Sequence, residues 1–168
     1  MSELVLATYT SEETAEHVFG VLNAHRLELP GPLDSTATVR VAADGRYTVM
    51  MTDRNEWTAS YWGVLWEALF GLVFLVPAPG TTYGSALGGL FGAIDRAGLD
   101  AGFRTHVRAA LEHQSSGLAV IATGWDPALV LSDFFLRPRA IVRATIVLDE
   151  NSELMRELGG VPPGTATT

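Results

Sequence analysis

An α+β fold is predicted by three features of the 168-residue chain. Short apolar runs of strand length alternate with segments of helical spacing, two of those runs are joined by a tight turn, and a long glycine-rich apolar stretch interrupts the series. Leu4, Val5, Leu6, Ala7 and Tyr9 form the first run, and Thr10 with Glu13 reads as a capping box opening a helix. Ala15, Val18, Phe19 and Leu22 keep the helical spacing until Pro30-Gly31-Pro32 stops it. Ala37, Val39 and Val41 then alternate with Thr36, Thr38 and Arg40, and the Ala43-Asp44-Gly45 turn leads into Tyr47, Val49 and Met51, so a β-hairpin is expected.

From Trp57 to Ala93 the chain is almost continuously apolar and is broken at Pro77-Ala78-Pro79-Gly80, which predicts two antiparallel helices. Leu99 to Glu112 returns to amphipathic helix, and Leu118 to Ala122 reads as a buried strand. Asp126-Pro127 is an N-cap followed by proline at the first helical position, opening a short helix that Pro138 ends. Ala140 to Leu148 is the last strand, followed by a helix over Ser152 to Leu158. With the helical pair set aside, the first four strands and two helices have the ferredoxin-like split β-α-β order. The expected architecture is therefore α+β: a ferredoxin-like antiparallel sheet with an inserted glycine-rich apolar helical hairpin at 57–98 and an extra C-terminal α-β unit. It forms a single domain over 1–158, and 159–168 reads as a disordered tail.

Composition narrows the function. A formal net charge of -8 disfavours a phosphate backbone and an anionic lipid surface. The basic residues are all arginine, so lysine Schiff-base chemistry and a Walker lysine are excluded. The absence of cysteine excludes thiolate catalysis and zinc-thiolate sites. Met1-Ser2-Glu3 lacks the basic opening of a secretory signal, so the N-terminus is expected to stay cytoplasmic.

The hairpin carries most of the information. Gly84, Gly88 and Gly92 are spaced by four beside Ser85, Gly89 and Ala93, so one face of the second helix is nearly bare of side chains and another helix can approach it closely. Gly63 and Gly71 flank Glu67 at the same spacing on the first helix. Trp62, Trp66 and Phe70, with Leu69, Val73 and Phe74, supply more apolar surface than one small helix can cover. The packing partner is the other hairpin helix, a second subunit, or both. A bilayer is a further candidate, since Trp57 to Val76 as a helix would be about 30 Å long. Against it, the second helix is apolar only over Gly84 to Ile94, and Glu67 stands in the middle of the first.

Trp62-Gly63, the run Gly71-Leu72-Val73-Phe74-Leu75-Val76-Pro77, the glycines from Gly80 to Gly92, Asp95, Gly98-Leu99-Asp100 and Ser115-Ser116-Gly117-Leu118-Ala119-Val120 form a pattern. It resembles the bacterial and archaeal domain-of-unknown-function family numbered 1269, often described as membrane proteins. The resemblance covers most of the chain and implies no catalytic residue, while its usual description implies a membrane.

No enzyme signature emerges beside it. His106 and His113 are seven apart, as are no usual pair of helical metal ligands, and His17 and His25 are similarly distant. Gly84-Ser85-Ala86-Leu87-Gly88 lacks the strand before it that a nucleophile elbow needs, and Gly88-Gly89-Leu90-Phe91-Gly92 follows no parallel strand as a dinucleotide fingerprint would. Asp133, Asp149 and Glu150 form no carboxylate cluster. The expectation is a non-enzymatic interaction protein, with no cofactor and no metal, that self-associates into a homo-oligomer. Gly63, Glu67, Gly71, Gly84, Gly88, Gly92, Trp62, Trp66 and Phe70 are its oligomer or helix-packing interface. One alternative is a cytoplasmic domain whose hairpin enters the bilayer, and another is a small-molecule binding module using the sheet face.

Overall fold

The computed structural model describes residues 2–51, 56–74, 85–133, 137–147 and 152–160. They form five strands, β1 (Ser2–Tyr9), β2 (Leu33–Val41), β3 (Tyr47–Met51), β4 (Ser115–Thr123) and β5 (Ala140–Ile146). Six α-helices accompany them: α1 (Thr14–Ala24), α2 (Glu56–Phe74), α3 (Ser85–Arg96), α4 (Ala101–Ala110), α5 (Pro127–Asp133) and α6 (Glu153–Gly160). The last strand stops at Ile146, and Leu148, expected within it, lies outside the described residues. Helix α6 runs through Gly159 and Gly160 into the segment expected to be a disordered tail, of which 161–168 lies outside the described residues.

The sheet is antiparallel throughout, in the order β3-β2-β4-β1-β5. Two antiparallel steps make a parallel relation, so β1 and β2 run parallel with β4 between them, and β4 and β5 run parallel with β1 between them. The C-terminal α-β unit is thus built into the sheet beside β1. The hairpin strand β3 is the one added at the outer border, beyond β2.

Alternation along each strand sorts side chains between two cores. Val5, Ala7 and Tyr9 of β1 and Leu118 and Val120 of β4 meet Ala15, Val18 and Leu22 of α1 and Ala128 and Leu131 of α5. Leu4, Leu6, Val39, Ala119, Ile121 and Ile146 point the other way, against α2, α3, α4 and α6. β4 is buried on both faces, which is why its sequence reads as an unbroken apolar run rather than an alternating one.

Local signals at helix starts are partly realised. Asp126 accepts the Ala128 N–H at 3.0 Å with Pro127 opening α5, and Asp100 accepts the Phe103 N–H at 3.0 Å to open α4. The capping box at Thr10 and Glu13 does not form. Glu13 itself is the cap residue and makes no side-chain cap bond, while the Ala15 N–H donates to Ser116 Oγ at 3.0 Å. That hydroxyl in turn donates to the Ser11 carbonyl at 2.6 Å, so the opening of α1 is fastened by β4, a residue remote in sequence.

The apolar stretch does give two helices. The principal contacts of α2 are with β3, α4 and α6, and those of α3 are with α6. The proline-containing connection at 75–84 lies outside the described residues.

Candidate functional site

Helix α2 is the element that joins the apolar stretch to the sheet. Trp66 is fully buried, with its indole N–H donating to Ser35 Oγ on β2 at 2.8 Å, and its ring stacks on Phe70 at 6.2 Å. Phe70 continues to Phe74 at 6.4 Å, and Phe74 stacks on Tyr47 of β3 at 4.5 Å. Trp62, Trp66 and Phe70 therefore lie in the chain's own core. The apolar surface that asked for an external cover in the sequence is largely covered by the chain's own sheet.

One line of α2 escapes this burial. Gly63, Glu67 and Gly71 run along the side of the helix that overlooks β3, at the border of the sheet. A Cβ placed on Gly63 would lie 3.4 Å from Met51 Cε, whereas one placed on Gly71 would meet nothing within 4 Å. Between them Glu67 is half-buried, and its Oε2 is enclosed with no hydrogen-bond partner. Loss of solvent raises the Glu67 carboxyl above its ordinary pKa. Tyr47 is raised too, first by burial and then by the Glu67 charge, which places the two groups within electrostatic reach. Arg96 of α3 offers Glu67 no free charge, since it is engaged with Glu153 of α6 in a forked pair that includes a 2.8 Å bond from Nε.

A carboxyl with a raised folded-state pKa takes up its proton in the folded chain before the unfolded chain does, so stability falls as pH rises through that interval. Glu67→Gln removes the cost. It is expected to raise stability by about 1 kcal/mol at neutral pH, the low end for an unpaired buried group because this one is half-exposed. The gain disappears once pH falls below the ordinary carboxylate range of about 4. Urea unfolding of both proteins across that range checks it, and a gain independent of pH would show that charge is not the cause.

Helix α3 places its small residues differently. A Cβ on Gly89 would come within 2.8 Å of Glu157 Oε2, so α6 of the same chain occupies that face, and a Cβ on Gly92 would meet the Arg96 guanidinium at 3.1 Å. Gly84 lies outside the described residues, and of Gly88 only its place in α3 is described. The structure thus brings Gly63, Glu67 and Gly71 together along one border, puts Trp62, Trp66 and Phe70 behind them, and sets Gly92 apart on α3.

Sequence reasoning found β3 as the second strand of a hairpin but missed its place at the border of the sheet. Tyr47 to Met51 contains no charge, proline or glycine, and among the described residues it pairs only with β2. Val49 and Tyr47 pack toward α2, while Thr48 and Met50 are exposed on the opposite face, Met50 by 50%. The lack of charge was readable; that this strand would stand at the border required the sheet order. The opposite border is differently made. β5 carries Arg143, paired with Asp126, and Gly98 lies against its Thr145 carbonyl.

Among the described residues no group of three or more His, Asp or Glu side chains is arranged to hold a metal, and no helix is long and apolar enough to cross a membrane. These features define a layered α/β domain with helices on both faces of an antiparallel sheet. The chain belongs to the family described as "Protein of unknown function (DUF1269)", whose model matches residues 60–159, from within α2 to within α6. No curated protein and no solved structure matches it.

Proposed function

We propose that this chain is a ferredoxin-like domain carrying an insertion, and that it acts in the cytoplasm as a non-enzymatic interaction protein that forms a homodimer along the β3–α2 border. The fold reading rests on two interleaved units, β1-α1-β2 and β4-α5-β5, whose order β2-β4-β1-β5 is that of a split β-α-β pair. On this reading β3 to α4 is the insertion between the second and third strands. Its helices cover the sheet face that a small-molecule module would have used. The bilayer reading loses its motive for a similar reason, since the large aromatics of α2 face the sheet.

The observation that carries the proposal is the uncharged outer strand β3. A sheet border is a template for pairing, and monomeric proteins usually blunt it with charge, proline or a bulge. β5 has such devices and β3 has none. Two copies pairing antiparallel about Val49 generate a closed two-fold dimer with a continuous sheet. The two-fold axis stands perpendicular to the sheet, so the two α2 helices become neighbours on one face. Gly63 and Gly71 permit their approach, and Glu67 lies in the seam. The partner is then a second copy of this chain, with no role for nucleic acid in so acidic a protein.

In this register Thr48 of one copy stands opposite Met50 of the other. The double substitution T48K/M50K puts like charges face to face on both sides of the axis, at positions exposed in the single chain. Sedimentation velocity at micromolar concentration should give a dimer for the wild type and a monomer for T48K/M50K, with unchanged circular dichroism. A sharp wild-type monomer, or a dimer that tolerates both lysines, would sink the proposal.

A further inference from the structure

A second feature lies beyond the turn end of the β3 border and does not depend on dimerisation. At the turn end of β2, a cavity of about 360 Å³ opens between the β2–β3 turn, the end of α2 and the end of α4. That volume falls in the range of small-molecule sites, roughly 300–1,000 Å³. Val41 and Leu111, both buried, form its apolar floor, and Phe74, backed by its stack on Tyr47, forms an aromatic wall.

The rim carries the polar groups Arg108, Glu112 and His113. Glu112 is already spoken for. It accepts from Arg139 Nη2 at 2.6 Å, and that bond holds its carboxyl below the usual range. Arg108 and His113 have no ion-pair partner among the described residues, so the rim presents two unmatched nitrogen donors in a chain whose net charge is -8.

His113 is also held in place. Gly45, at φ +85°, leaves room for its ring, because a Cβ there would lie 3.0 Å from His113 Nε2. Gln114, at φ 58°, turns the chain immediately after it. The Gly45 and Gln114 N–H groups both donate to the Ala42 carbonyl, at 3.0 and 3.5 Å, so the two turns are fastened to one oxygen. The two turns beside His113 are therefore fastened together at the mouth of a cavity whose interior is apolar and aromatic.

We propose that this cavity binds a planar aromatic carboxylate. The ring lies against Phe74 over Val41 and Leu111, and the carboxylate accepts hydrogen bonds from the Arg108 guanidinium and the His113 ring. Arginine suits the role because its planar fork matches a carboxylate, and burial of the ring against Phe74 supplies the apolar share of binding. The floor selects against small aliphatic acids, and the rim selects against uncharged aromatics.

The probe is 2-naphthoate, compared with neutral 2-naphthamide and with acetate, by isothermal titration and saturation-transfer NMR. The wild type should bind 2-naphthoate saturably at one site and the other two at least about tenfold more weakly, as expected for loss of a charge-assisted pair or of the ring. R108Q/H113Q, at exposed positions, should weaken 2-naphthoate by at least about tenfold without changing the melting temperature. Arg26→Gln, remote from the cavity, should leave it unchanged. Equal affinity for 2-naphthamide, undiminished binding by R108Q/H113Q, or no saturable binding at millimolar 2-naphthoate would each overturn the proposal.

Discussion

Trp66→Ala is expected to lower the free energy of unfolding by about 3–5 kcal/mol, the range for removing a large aromatic from a packed core. Trp66 is fully buried between α2 and the sheet, stacks on Phe70, and donates its indole N–H to Ser35. Here the helical layer is both packed and hydrogen-bonded to β2. Trp66→Phe separates the two contributions: it retains most of the packing and loses the hydrogen bond, for a cost near 1–2 kcal/mol. Urea unfolding at fixed protein concentration measures both. A loss below about 1 kcal/mol for the alanine variant would mean that the layer rests on the sheet without being anchored there.

Gly98→Ala should destabilise by about 2–4 kcal/mol, large for the addition of one methyl group. Gly98 sits between α3 and α4 at φ +112°, a region L side chains rarely adopt, and its added Cβ would lie 2.6 Å from the Thr145 carbonyl oxygen of β5. The oxygen is backbone and a Cβ is fixed by its own backbone, so no rotamer change relieves the contact. Gly20→Ala provides the contrast. Gly20 is exposed within α1, its Cβ would meet nothing within 4 Å, and alanine is favoured over glycine in a helix by about 1 kcal/mol. Thermal melts of the two variants should move in opposite directions. Equal shifts would contradict the close approach at Gly98.

Much of the secondary structure was readable because it depends on neighbours in sequence. The Asp126-Pro127 helix start, the hairpin of β2 and β3, and the doubly buried β4 all announced themselves by residue type and spacing. What failed to show was set by residues far apart. Ser116 fastens the opening of α1, which no local motif reveals, and the capping box written into Thr10 and Glu13 loses to it. The hydrophobic pattern of α2 said that large residues needed cover without saying that the sheet would provide it. The pattern of α3 suggested a bare face, and Gly89 meets α6, whose Glu157 lies near the end of the chain. Of the proposed dimer border, Gly63, Glu67 and Gly71 were visible as a line on a helix. The border position of β3 was not, because a strand's place in a sheet depends on every other strand. The cavity had no signature at all: Val41, Phe74, Arg108 and His113 come from separate elements.

The sheet order also governs the sequence of events during synthesis. β1 and β2 share no ladder; each pairs with β4, through registers such as Ser2 with Thr123 and Val41 with Ser115. Until β4 leaves the ribosome, the first half of the chain holds a β2–β3 hairpin and an unpaired β1, while the aromatics of α2 have only part of the surface that later encloses them. Long-range pairing of this kind slows folding and prolongs the exposure of apolar segments. β4 is therefore the keystone in time as well as in space, and truncated chains ending before Ser115 should accumulate as aggregating or chaperone-bound species.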